Sequence, residues 1–221
     1  METRTALLIG ASGLVGSYVL QQLLAMSIYN KVTVLVRRPL GVSHAKLQEL
    51  VVDFEHLREH AHAFKVDDIY CCVGTTIKKA GSKEAFRAVD YHIPVETAKF
   101  ASAQGAKQYL LVSSLGANAK SLFFYMRTKG EVEEALKKHP FKAIHILQPS
   151  MLLGPRKEKR FGEKFGQIFM KLVEPLLIGG LKKYKAIHAE TVAKAMIKIA
   201  LEEKQGTHVY ISDELAEIGK Q

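Results

Sequence analysis

The chain of 221 residues has only two cysteines, and they are adjacent, Cys71 and Cys72. Neighbouring cysteines cannot build a disulfide framework or supply the four ligands of a structural zinc, so a reducing compartment is expected. No uninterrupted apolar run reaches the roughly 18 residues that a membrane-spanning helix needs. The amino terminus, METRTALLIGASG, passes straight into a strand-like run and carries no signal-peptide cleavage pattern. These absences together lead to the expectation of a cytosolic protein without a membrane span. Internal repeats and low-complexity linkers are missing as well, which favours one folded unit. Acidic residues are in short supply, 22 against 32 lysines and arginines, for a formal net charge of +10. The surplus is heavier in the second half: residues 1–110 carry 13 basic and 10 acidic groups, and residues 111–221 carry 19 and 12. Such a balance favours anionic partners (a phosphorylated cofactor, an anionic substrate, nucleic acid or an anionic surface) without choosing among them. A solvated basic face explains it equally well.

Hydrophobic residues make up 48% and charged residues 24%, the proportions of a globular chain. At this length about 70% of the unfolded surface can be buried, enough for a core without staples. Short apolar runs alternate with longer helical patterns. Strands are expected at Ala6–Ile9, Lys31–Val36, Leu50–Asp53, Ile69–Val73, Tyr109–Ser113 and Ala143–Leu147. Helical segments are expected at Leu14–Met26 and near 54–64, 83–104 and 122–138, with Pro94 splitting or kinking the third of these. Runs that are apolar throughout, rather than alternating, describe strands covered on both faces. The expected fold is therefore α/β, a Rossmann-type doubly wound parallel sheet with right-handed crossovers. After Pro149 the rhythm changes, with Pro155, Pro175 and the Gly179–Gly180 pair, before a helix at about Glu190–Glu202 and a strand at about His208–Ile211. Residues 1–221 are expected to form one domain, with about 150–188 and 203–221 as a small substrate-side extension.

The glycines Gly10, Gly13 and Gly16 make a G-x-x-G-x-x-G pattern between the first strand and the first helix. Such a turn needs glycine where the chain bends sharply and where backbone approaches a pyrophosphate. The free N–H groups around Ser12, Gly13, Leu14 and Val15, at the positive end of the helix dipole, suit phosphate oxygens. Arg37 and Arg38 end the second strand, where an acid would accept from the ribose 2′-hydroxyl of a non-phosphorylated cofactor. Two arginines instead can clamp a 2′-phosphate, which predicts NADP(H) over NAD(H), unless both are ordinary surface arginines. Asp53 closes the third strand and Phe54 follows it; Asp53 either accepts from an adenine amino group or caps the next helix. Val73, Gly74 and Thr75 end the fourth strand, with Gly74 permitting close backbone approach. Cys71 and Cys72 alternate faces there as small buried hydrophobes.

Tyr125 and Lys129 lie four apart in a helical segment and so project from one face. A neighbouring ammonium favours the phenolate of a tyrosine and makes it usable as an acid–base group. Ser113 and Ser114 end the fifth strand, on the edge where ligands collect, and a serine there can hold a substrate oxygen. GASGLVG, VRRP, VVDF, CCVGTT, VSSLGA, YMRTKGEVE and LQPSMLLGPR stand in order from about Thr5 to Leu201. In this order and spacing they resemble an atypical short-chain dehydrogenase/reductase of the branch that includes the Tat-interacting oxidoreductase-like protein and its bacterial relatives. The resemblance implies a Rossmann fold binding NADP(H), a catalytic set of Ser114, Tyr125 and Lys129, and backbone around Pro149 and Met151 bordering the nicotinamide. It also implies a departure. Many short-chain reductases place an asparagine where this chain has Asp90, which puts the usual proton relay through the lysine in question. Members of the branch are described more by cofactor binding and regulation than by a settled substrate.

Other features carry less. His56, His60 and His62 cluster near Glu59 but lack the H-E-x-x-H spacing, so no metal site is expected. Phe161, Phe165 and Phe169, spaced by four, read as one apolar helix face that could line a substrate pocket or serve a homodimer. Arg156 and Arg160 are compatible with an anionic substrate or with water. The expected function is hydride transfer to or from a small carbonyl or alcohol substrate, with Tyr125 as acid–base group. The alternative is a catalytically weak NADP(H)-binding redox sensor or regulatory scaffold, and nucleic acid is a distant third as partner.

Overall fold

A computed structural model describes residues 3–155 and 179–220. The expected Arg156, Arg160 and the phenylalanine face at Phe161, Phe165 and Phe169 lie outside the described residues. The chain runs β1 (Arg4–Ile9), α1 (Leu14–Ala25), β2 (Tyr29–Val36), β3 (Leu47–Val51), a 3-10 stretch (Leu57–Phe64), β4 (Asp68–Cys71) and α2 (Ile77–Ala80). It continues through α3 (Lys83–Arg87), a π-turn (Ala88–His92), α4 (Ile93–Ala103), β5 (Gln108–Val112), α5 (Phe124–Leu136), β6 (Ala143–Gln148) and β7 (Leu152–Leu153). A 3-10 turn (Gly179–Tyr184), β8 (Ile187–His188), α6 (Ala189–Leu201), β9 (Gly206–Ile211) and α7 (Ser212–Lys220) complete it. Seven strands form one sheet in the order β3-β2-β1-β4-β5-β6-β9, every pairing parallel. The short β7 and β8 pair with each other.

The apolar runs explain this arrangement. Along β1, Ala6 and Leu8 enter the layer built by α1 and α6, whereas Leu7 and Ile9 enter the opposite layer with α4 and α5. Burial on both faces is what turns alternation into a continuous run, and only crossover helices can supply it. Cys71 packs in the second layer and Cys72 against the first. Burial pushes both thiols up, which makes them poor nucleophiles.

Several boundaries differ from expectation, each for a local reason. The third strand is Leu47–Val51 rather than Leu50–Asp53, because Val51 pairs with the last residue of β2 and the chain then turns away. Asp53 sits in that turn, accepting from the Glu55 N–H at 3.0 Å. The 54–64 helix is a 3-10 stretch broken at His60, which buries only Leu57, Ala63 and Phe64. Within 83–104 the path stays helical, and Pro94 lies in the first turn of α4 directly after the π-turn, where the backbone bonding is already shifted. Of the residues assigned to a substrate-side extension, Gly206–Ile211 is the seventh strand of the main sheet instead, pairing along the whole of β6.

At the opposite end of the sheet from the glycine turn lies a buried polar network. Asp68 accepts from Arg4 at 2.6 Å, Tyr29 at 2.7 Å and Gln108 at 2.8 Å, joining β1, β2, β4 and β5. Breaking such a pair from one side leaves an uncompensated charge in the interior, which is strongly destabilising.

His145 on β6 is buried, stacks on His208 of β9 at 5.6 Å between ring centroids, and meets the Tyr210 hydroxyl at 3.3 Å. Burial, with His208 and Lys204 adding, pulls its pKa down to about 4. The folded value thus lies below the unfolded one, so its contribution is intact above pH ~6.5 and is lost as pH falls toward 4. Urea denaturation across this window is expected to show a steeper stability loss in the wild type than in His145→Phe. Parallel pH profiles would contradict the assignment.

Candidate functional site

Parallel strands deliver all their carboxyl ends to one edge, and the strand order reverses between β1 and β4, the usual location of a ligand crevice. The glycine turn fills that place. Gly10 adopts φ +87°, and a β-carbon on it would lie 2.6 Å from the backbone carbon of Cys72 at the end of β4. A β-carbon on Gly16 would lie 2.1 Å from the Gly10 carbonyl oxygen, so α1 rests directly on the turn. Gly13 is the N-cap of α1 and provides no side-chain cap, which leaves the first-turn N–H groups of Leu14, Val15 and Gly16 without intrahelical acceptors. Ser12 is exposed on the turn. A backbone cradle with uncapped donors fits a diphosphate.

Beside the ends of β2 and β3 opens a cleft of about 800 Å3, lined by Arg37, Asp53, Phe54 and Arg58, with Val89 and Ile93 across from them. Arg37 lines it; Arg38 is exposed beside it and is not among the lining residues. The Asp53 carboxylate is engaged locally: the Glu55 N–H, then His56, hold it below the usual carboxylate range. Arg58 was not anticipated, because nothing in its neighbourhood in the chain marks it as meeting Arg37.

The second cluster lies at the ends of β4, β5 and β6. Lys129 is buried on α5 and pairs with Asp90 at 2.8 Å, the two side chains being 5% and 0% exposed. Burial works against the ammonium, but Asp90, with Tyr125 adding, overcomes it and raises the Lys129 pKa. The Asp90 Oδ2 accepts from the Thr75 N–H at 2.8 Å, so the carboxylate links the end of β4 to α5. Tyr125 is half-buried, one turn before Lys129, its ring against Phe86 at 5.6 Å. Gly130 allows the loop after β5 to cross α5 closely, since a β-carbon there would lie 2.0 Å from the Ala119 nitrogen.

The two serines have separate fates. Ser113 is buried and donates to Glu133, which also accepts from the Gln148 amide at 3.0 Å. Burial pushes the Glu133 carboxyl up, and the Ser113 and Gln148 contacts oppose it. Ser114 is half-buried, and its hydroxyl makes only a 3.5 Å contact to the Leu115 carbonyl. Pro149 is buried with its carbonyl accepting from Leu115 N–H at 2.9 Å, while Met151 is 42% exposed. Glu133 went unnoticed in the sequence; the only hint was an acid placed on the buried face of α5, four residues after Lys129.

The family model that matches this chain is described as NAD(P)H-binding and spans residues 10–203. The chain belongs to that family. Among curated proteins it is 35% identical over 201 residues to Protein HTATIP2 of Rattus norvegicus, covering 89% of this chain and 81% of that one. It is 34% identical over 218 residues to Protein FMP52, mitochondrial, of Candida albicans, covering 96% and 93%. These are the Tat-interacting-like relatives that the motif series had indicated. Among solved structures, MoeE5 in complex with UDP-glucose and NAD superposes with a TM-score of 0.70 at 15% identity, over 97% of this chain and 80% of that one. A UDP-N-acetylglucosamine 4-epimerase from Methanobrevibacter ruminantium M1 gives 0.72 at 16%, over 98% and 81%. At these identities the likeness concerns the fold: a Rossmann-like parallel sheet of the kind found in epimerases related to short-chain dehydrogenases. The family is NAD(P)-binding and oxidoreductase-like.

One expectation is overturned. The fungal FMP52 relatives are named mitochondrial, which conflicts with a cytosolic protein. Reduced, buried cysteines fit either location and could never have separated the two. Among the described residues no helix is long and apolar enough to cross a membrane.

Gly16→Val is expected to push α1 off the turn and to abolish the thermal upshift that NADPH or NADH gives the wild-type protein. A variant that keeps the full upshift would show that the diphosphate lies elsewhere.

Proposed function

We propose that the chain is an NADP(H)-dependent oxidoreductase acting on a small carbonyl or alcohol, with Tyr125 as the acid–base group. The observation that supports this reading best is a buried Lys129 whose ammonium is favoured by Asp90 and then by Tyr125 one turn before it, close under Gly74 after the end of β4. When bound, the dinucleotide supplies or receives the hydride. Gly10, Ser12, Gly13, Leu14, Val15 and Gly16 would hold its diphosphate through backbone N–H groups. Arg37, with Arg38 and Arg58 close by, would take a 2′-phosphate, and Phe54 and Asp53 would border the adenine. Val73, Gly74, Thr75, Pro149 and Met151 would flank the nicotinamide half.

The chain's own groups then divide the work. Ser114 has a hydroxyl with no strong internal partner and is the one free to bind a substrate oxygen; Ser113 is committed to Glu133. Tyr125 gives a proton to that oxygen in reduction and takes it in oxidation. Lys129 supplies the fixed positive charge that makes this transfer possible near neutral pH. The net +10 charge supports an anionic substrate. A homodimer is part of the same proposal.

A second reading, a redox sensor that binds the dinucleotide and turns over slowly, is favoured by Asp90. A carboxylate at 2.8 Å occupies the ammonium that would otherwise serve a relay.

A carbonyl panel followed by NADPH absorbance separates the two. The enzyme reading expects turnover that falls at least about a hundredfold in Tyr125→Phe, the scale of one acid–base group, while NADPH binding is retained. Absence of turnover on every substrate class leaves the sensor. Independently, Arg37→Ala is expected to weaken NADPH binding about tenfold, one charge-assisted contact, and leave NADH unchanged. Equal losses for both would remove the case for the phosphorylated coenzyme.

A further inference from the structure

The Asp90–Lys129 pair is built with unusual care. Asp90 stands in the middle of the π-turn Ala88–His92, a local widening of the helix by one residue. Without the extra residue the side chain would rotate by about 100° away from α5. The turn is clamped on both sides: Arg87 pairs with Glu131 of α5 and lies 4.4 Å over the Tyr91 ring. Thr75 N–H fixes the second carboxylate oxygen at 2.8 Å.

Above the pair there is no side chain from the end of β4. Gly74 is exposed, and a β-carbon on it would lie 3.6 Å from Asp90 Oδ1 and 4.0 Å from Lys129 Nζ. The pair therefore lies just beneath the ligand edge, covered by one glycine. The other ionisable groups acting on Lys129 are Tyr125, Cys71 and, more weakly, Glu133, which is tied to Ser113 and Gln148. A lysine alone would present one full positive charge here; with Asp90 the site is neutral.

An oxidised nicotinamide ring carries a positive charge that the reduced ring lacks. We propose that Asp90 sets which redox form of the coenzyme the site prefers: by cancelling the Lys129 charge beneath Gly74, it favours the oxidised form relative to what a lone lysine would allow. This rests on the reading that the nicotinamide half lies beside Tyr125 and Lys129. It makes Asp90 a specificity-determining residue that acts through charge, in either the enzyme or the sensor.

Calorimetric titration with NADP+ and NADPH tests it on the wild type, Asp90→Asn and Asp90→Asn/Lys129→Met. In Asp90→Asn the ratio of the two dissociation constants is expected to move toward the reduced form by on the order of tenfold, the effect of one uncompensated charge in a partly buried site. The double variant, again neutral, returns the ratio to within about twofold of wild type even though both affinities fall. A purely structural role for Asp90 weakens both forms by the same factor, and an unchanged ratio overturns the inference. Where Asp90→Asn does not fold, Asp90→Ser leaves room for water beside Nζ and carries the same two outcomes. A wild type that binds neither form overturns the coenzyme reading itself, and this inference with it; binding of both with an immobile ratio overturns this inference alone.

Discussion

Three stretches of backbone meet at the edge of the sheet with almost nothing between them. Gly16 of α1 sits against the Gly10 carbonyl, and Gly10 sits against the end of β4 at Cys72, at separations that no β-carbon could occupy. That contact fixes where α1 begins and aims its uncapped first turn across the switch point. Since every strand is parallel, the same constraint places the ends of β2, β3, β5 and β6 on one rim. The cleft near Arg37 and the cluster around Lys129 both lie on that rim, as the glycine turn does.

The charges are distributed to match. At the far end of the sheet, Asp68 gathers Arg4, Tyr29 and Gln108 in a network that ties four strands together. At the ligand rim the corresponding buried pair, Asp90 and Lys129, is held by only one backbone N–H and lies under a glycine. Both are buried ion pairs, for which removal of one partner is far costlier than the pair is stabilising. Their surroundings distinguish them: the first is enclosed, whereas the second opens toward the place where a ligand would lie. Glu133 forms a third polar centre, and it engages the Ser113 hydroxyl.

Relatives and structural neighbours bear on these points unequally. The match over residues 10–203 makes the chain a member of an NAD(P)H-binding family. The solved structures, at 15–16% identity, share its fold. Fungal relatives named mitochondrial correct an inference drawn from cysteine usage, which reports redox environment and says nothing about the boundary between compartments.

The linear chain by itself determined the parallel sheet and the glycine turn. Strands buried on both faces must be apolar at every position, and a turn that touches backbone on two sides must be glycine; both demands are written in consecutive residues. The positions of Tyr125 and Lys129 were legible for a similar reason, since four residues make one helical turn. What only tertiary structure decided involves groups far apart in sequence. The strand ends at Val51 rather than Asp53 because β2 runs out of partners. Gly206–Ile211 becomes a sheet strand because β6 has a free edge. Ser113 and Ser114, identical in type and adjacent just past β5, diverge because Glu133 of α5 meets only the first of them. Asp90 reaches Lys129 across 39 positions through a widened helical turn that no residue pattern announces. Local chemistry is written in adjacent letters, whereas the pairing of buried charges depends on which faces are packed together.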